Sequence, residues 1–120
     1  LFRSTYLLRA EAYFHKGDLA NAANDINVVR GRAQAKPVQP GQISLDYILD
    51  ERIRELVVEE PRRKTLVRLN KLYERTMKYN FRVKDNMEPY HELWPIPQTA
   101  IDANTGAKLL QNPGYPGAAE

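Results

Sequence analysis

Residues 48–72 read ILDERIRELVVEEPRRKTLVRLNKL, and one proline, Pro61, divides the run. Proline has no amide hydrogen to donate and disfavours helix in the residue before it, so the stretch reads as two helices, 44–59 and 62–77, joined at that point. On a helical wheel Leu45, Ile48, Leu49, Ile53 and Leu56 share one face, as expected of a helix laid on a core. Arg52 and Glu59 fall within the same stripe. A charge there must be paired, because an unpaired buried ion is costly. These two side chains therefore read as a structural ion-pair network that holds helices in register. An active-site reading of them has no other feature behind it.

Working outward, residues 34–44, QAKPVQPGQIS, carry two prolines and a glycine and form a loop that ends at Ser44, a good N-cap. Asp50 and Glu51 each stand at helical pair spacing from Arg54, on the side expected to face solvent. Beyond Pro61, Leu66, Leu69, Tyr73 and Met77 carry the apolar face of the fourth helix. Upstream, residues 1–15 are apolar on two sides of a helix: Phe2, Tyr6, Ala10, Tyr13 and Phe14 on one, Leu1, Thr5, Leu8 and Ala12 on the other. A helix of that kind is expected to pack between neighbours. Gly17 suits its C-terminal cap and Asp18 the N-cap of the next helix. That helix, about 19–33, places Leu19, Ala22, Ala23, Ile26, Val29 and Ala33 on one side, with small residues at 22 and 23 for close approach. Residues 1–33 thus form an αα-hairpin. Ala10, Tyr13, Ala22, Ile26 and Val29 stand near the interlocking positions of one tetratricopeptide unit, and the chain holds no second copy. A single unit cannot bury both faces, so it implies neighbours.

From Lys78 the helical period disappears. Residues 78–120 form a long irregular tail that holds most of the prolines and glycines. Pro95 and Pro97 frame a rigid extended segment, 97–104 has the makings of one short helix, and QNPGYPGAAE offers no element of its own. The expected fold class is all-α.

The 120 residues suffice for one modest domain with a single core. The chain begins at Leu1, inside a helical pattern, and reads as a fragment. A formal charge of +3, with acids and bases interspersed, does not make a nucleic-acid surface. The short run Arg62, Arg63, Lys64 reads as a solvated helix start. There is no cysteine, which excludes disulfides and thiolate-ligated metals. No apolar run approaches the roughly 20 residues that span a bilayer.

Catalytic chemistry finds little to work with. His15 and His91 have no partner at ligand spacing, so no metal is expected, and His15 sits where a helix dipole favours a cation. No glycine-rich loop follows a strand, so no phosphate-cradling cofactor site is expected. The carboxylates of the third helix are matched by arginines, and no serine or threonine has a nucleophile's setting. The aromatic residues of the tail are the remaining candidates. Tyr79, Phe81 and Tyr90 are either ligand platforms or anchors that pin a long loop, and both readings stay open; Trp94, between Leu93 and Pro95, is expected to be buried.

Four segments in this order, YLLRAEAYFHKGDLANAANDINVVRGRA (6–33), ILDERIREL (48–56), LWPIPQTAIDAN (93–104) and QNPGY (111–115), resemble the SusD/RagB family of nutrient-binding outer-membrane lipoproteins. Glu59, Arg62, Leu66 and Arg68 fit the family's continuation after the third helix. Glu60 replaces its usual glycine, Arg63 and Lys64 its aromatic pair, and Thr65 its aspartate.

The resemblance implies the C-terminal portion of a longer, mostly helical protein with tetratricopeptide-like hairpins. It also implies a lipid-anchored, outward-facing protein of the outer membrane of Bacteroidetes-type bacteria, its lipidated cysteine lying before Leu1. Such a protein binds glycans, or in some members peptides, works with a SusC-type TonB-dependent transporter, and is not an enzyme. The family's ligand contacts vary and lie largely outside this region, so no binding residue is carried over, and the piece is expected to contribute scaffold more than affinity. An interaction scaffold of tetratricopeptide type is the alternative, and a glycan-active enzyme ranks last.

Overall fold

The structure, a computed structural model, describes residues 2–118. Leu1, assigned above to the second face of the first helix, lies outside them. The described residues form six α-helices: α1 (Phe2–His15), α2 (Leu19–Arg32), α3 (Leu45–Leu56), α4 (Arg62–Arg68), α5 (Leu72–Tyr79) and α6 (Gln98–Ala103). Short 3-10 turns occur at Pro40–Gln42, Lys84–Asn86 and Pro89–Glu92. Among the described residues there is no strand, only an isolated bridge between Gln111 and Ala118. The all-α fold expected from the sequence is the observed one. Two compact units divide at Pro61, Leu1–Pro61 and Arg62–Glu120.

In the first unit α1 packs against both α2 and α3. Gly17 takes φ +77, and the Asp18 and Gly17 amides close back on the Tyr13 and Phe14 carbonyls, a Schellman cap. Asp18 then caps α2 by accepting from the Asn21 amide. Its carboxyl is held below the ordinary value of 3.8, first by the Asn21 side-chain amide and then by the Asn21 backbone N–H. The core gathers Leu7, Ala10, Ala22, Ala23, Ile26, Val29, Val38, Ile43, Ile48 and Leu56, with Tyr6, Tyr13, Phe14, Leu19 and Tyr47 against it. Full burial of a side chain such as Leu7, Ile26 or Ile48 contributes about 1.5–3 kcal/mol.

The expected second face of α1 is corrected: Thr5, Leu8 and Ala12 are exposed, and on the first face Phe2 is exposed as well. The stripe turned to α3 starts at Arg3, which bonds Glu55 at 2.9 Å, and includes the buried Leu7. A hydrophobicity wheel passes over that stripe because charged Arg3 and Glu11 bracket the leucine.

Residues 34–44 are a loop, as read, but a tethered one. The Asn27 side chain bonds both the N–H and the carbonyl of Val38, at 2.8 and 3.0 Å, and Arg30 donates to the Lys36 carbonyl. Ser44 caps α3 by accepting from the Tyr47 amide at 3.1 Å.

Helix α3 stops at Leu56, short of the expected 59. Val58 turns into the left-handed region at φ +72, and the Glu59 and Glu60 amides both close on the Leu56 carbonyl. In a continuous helix residues 52 and 60 would stand about 12 Å apart along the axis. The turn brings Glu60 back to Arg52 instead, Nη2 to Oε2 at 2.7 Å and Nε to Oε1 at 3.3 Å. Arg52 is buried and paired, as its place in the stripe requires. Its partner is Glu60; Glu59 is exposed and bonds Arg3, and Ile53 of the same stripe is exposed too. Glu51, expected on the solvent side, is buried and accepts from Arg30 at 2.8 Å and Arg54 at 2.7 Å. With Arg3 and Arg32 both on Glu55, these pairs join α1, α2 and α3 through carboxylates of one helix. On the outer side Arg9 grips Asp25 with two bonds of 2.7 Å, which raise its own pKa.

In the second unit the expected helix 62–77 is two helices. Asn70 adopts φ +52, and the Lys71 and Asn70 amides return to the Leu66 and Val67 carbonyls in a Schellman cap that ends α4. Asparagine tolerates that conformation better than most residues, so Asn70 is the stop signal the apolar period hides. Helix α5 then begins anew, with the Tyr73 amide donating to Glu92 at 3.1 Å. Leu66 and Leu72 are buried, Leu69 and Tyr73 half-buried, and Met77 exposed. Helix α6 lies within the expected 97–104, with Pro97 as its N-cap residue.

Candidate ligand-contact surface

Of the tail aromatics Tyr79, Phe81, Tyr90 and Trp94, Tyr90 fastens the tail and the other three are exposed. Tyr90, in the turn Pro89–Glu92, packs edge-on to Tyr115 with ring centroids 5.0 Å apart, and tilted against His91 at 4.2 Å. A Cβ at Gly114, which holds φ +86, would stand 2.3 Å from Cγ of Tyr90, so only glycine lets the backbone lie against that ring. The neighbouring residues complete a clasp. Gln111 accepts from the Ile96 amide at 2.6 Å and donates to its carbonyl at 2.8 Å, Asn112 donates to the Trp94 carbonyl at 2.7 Å, and the Tyr115 hydroxyl donates to the Leu93 carbonyl at 2.9 Å. The segments LWPIP and QNPGY, distant in sequence, are thus fastened side chain to backbone, and Tyr90 is packed into the fastening.

Trp94 is corrected: it is 70% exposed, where burial was expected. Its backbone is held by Asn112, and its ring lies against the guanidinium of Arg63, 4.4 Å from the centroid. Arg63 also donates to the His91 carbonyl at 2.6 Å. Pro95 and Pro97, just after it, keep this segment extended, so the indole has no helix face to fold onto.

Tyr79 and Phe81 close α5 and open the following turn, and both are exposed. Cations attend each ring: Arg75 and Lys78 lie 4.8 and 5.0 Å from the Tyr79 centroid, and Arg82 lies 5.8 Å from that of Phe81. Such contacts contribute about 0.5–1 kcal/mol at exposed sites. These cations were passed over at the level of sequence, although the basic run 71–84 carries the signal. Of the three candidate platforms, then, Tyr79 and Phe81 present rings to solvent and Tyr90 does not do so freely.

Among the described residues no cluster of histidine and carboxylate side chains is suited to a metal ion, and no helix is long and apolar enough to cross a membrane. The first unit carries a hollow of about 440 Å³ beside the tethered loop, lined by Arg30, Lys36, Val38, Gln39, Gln42 and Tyr47.

A helical hairpin with an ion-paired third helix, followed by a clasped tail that offers exposed aromatic rings, defines an all-α protein. The sequence profile of the SusD family (SusD_RagB) matches residues 4–115, and the chain belongs to that family. Members bind nutrients, glycans in general, in association with the bacterial outer membrane. No curated protein and no solved structure matches the chain.

Proposed function

We propose that this protein binds a glycan, or a peptide as the other ligand class, at the outer face of the bacterial outer membrane and delivers it to a SusC-type TonB-dependent transporter. In this reading it is lipid-anchored and performs no catalysis. Family membership over residues 4–115 supports the reading most directly. The exposure of Tyr79 and Phe81 gives it a physical footing in this chain, since rigid aromatic faces are what a pyranose ring or a peptide stacks upon. Tyr90 contributes by holding the tail in place. Two exposed rings make an auxiliary contact of modest strength, in keeping with a chain that serves mainly as scaffold.

Calorimetric titration with a panel of oligosaccharides and peptides is the test. Binding to one class, weakened in Tyr79→Ala or Phe81→Ala, is expected. No binding to any member of the panel, together with co-purification of partner proteins through α1 and α2, would favour the alternative of a tetratricopeptide-like interaction scaffold. The exposed Phe2 and Leu8 of α1 are the observation behind that alternative.

A further inference from the structure

Between residues 71 and 84 the chain carries five basic side chains, Lys71, Arg75, Lys78, Arg82 and Lys84, against one acid, Glu74. Arg75 is buried and already engaged and Lys71 is paired with Glu74, so Lys78, Arg82 and Lys84 are the cations of this stretch that face solvent. Glu74 is engaged by Lys71, and the next acids, Asp85 and Glu88, mark the end of the basic stretch. The same segment presents Tyr79, 55% exposed, and Phe81, 76% exposed. Cations therefore sit beside both rings, at the distances given above.

This arrangement discriminates between ligands. A neutral sugar that stacks on either ring competes with cations the ring already attracts. A sugar bearing a carboxylate or sulfate turns the competitor into a partner: its apolar face lies on the ring while its anion takes a charge-assisted, bidentate hydrogen bond from a guanidinium. We propose that the segment around Tyr79 and Phe81 is a contact site for acidic glycans, polysaccharides that carry uronate or sulfate groups. The proposal rests on the glycan-binding reading above and narrows it by charge complementarity.

The test is titration of the full chain with polygalacturonate and chondroitin sulfate as acidic probes, dextran and xylan as neutral ones, and phosphatidylglycerol vesicles as a polyanion that is not a glycan. An acidic glycan is expected to bind more tightly than either neutral one, and to weaken as salt shortens the screening length to about 3 Å at 1 M. Arg82→Gln should lower that affinity about fivefold, Phe81→Ala at least as much, and Lys108→Gln not at all. Lys78→Gln replaces Arg82→Gln should the latter alter the melting curve. Neutral glycans that bind as tightly as acidic ones, with the same loss in Phe81→Ala, overturn the acidic-ligand proposal and leave the glycan reading standing. Absence of all glycan binding overturns both. Acidic-glycan binding untouched by these variants, or matched by vesicle binding that Arg82→Gln abolishes equally, overturns the proposal as well.

Discussion

Replacing Arg52 by alanine removes a guanidinium whose side chain is 6% exposed from a carboxylate that is 12% exposed, and with it two hydrogen bonds that tie α3 to the turn beyond it. Breaking a buried pair from one side costs about 3–5 kcal/mol, and the residual solvent contact of Glu60 places this case near the lower end, about 3 kcal/mol. Against a total stability of about 5–15 kcal/mol that is a large share. At about 4–8 °C per kcal/mol for a small domain, the midpoint should fall by about 12–24 °C. Arg52→Met keeps the methylene stem packed along the stripe while deleting the charge, so it should unfold at a clearly higher temperature than Arg52→Ala. Thermal unfolding followed by circular dichroism reads both, and a double-mutant cycle with Glu60→Gln isolates the pair, for which a coupling of about 1–3 kcal/mol is expected. Wild-type midpoints in both Arg52 variants would refute the reasoning, since they would make Arg52 a surface residue. A coupling near zero would refute the pairing with Glu60 alone.

Three further predictions concern the backbone and the caps. Val58 is 98% exposed and holds φ +72, a conformation that costs a β-branched residue about 1–2 kcal/mol, so Val58→Gly should raise the midpoint by a few degrees despite glycine's greater chain entropy; an unchanged or lower midpoint would count against strain at that turn. Gly114→Ala combines φ +86 with a Cβ driven into Cγ and Cδ1 of Tyr90, and should destabilise the tail by more than about 1 kcal/mol, seen as faster amide exchange over 90–115 and partly rescued by Tyr90→Ala, which removes those two atoms. The Asp18 carboxyl is depressed below 3.8 by Asn21, so its contribution is fully present above the unfolded value and is lost as pH falls through the lower folded one. The stability gap between wild type and Asp18→Ala should therefore stay constant from pH 5 to 8 and narrow below about pH 4, in denaturant titrations run across that range.

Local chemistry was legible from the residues alone. Gly17, Asp18 and Ser44 announce their caps because a turn needs φ above zero or a short oxygen side chain at that position, whatever surrounds it. The apolar period of Ile48, Leu49 and Leu56, and the small pair Ala22 and Ala23, place a core because 3.6-residue spacing leaves few other arrangements. From the same logic Arg52 had to be paired. Its partner, however, was decided only by the fold, since Glu60 reaches it through a turn that Val58 completes at a cost in strain. The break at Asn70 was hidden in a continuous apolar pattern, because periodicity reports which face is buried and says little about where the ladder stops. The tail depended most on tertiary structure. Whether Tyr79, Phe81, Tyr90 and Trp94 are anchors or platforms turns on neighbours distant in sequence: Gly114 and Tyr115 claim Tyr90, while Trp94 stays exposed with Arg63 at its ring. An aromatic side chain is equally suited to a core and to a ligand, so its residue type cannot choose between them. The packing around it does.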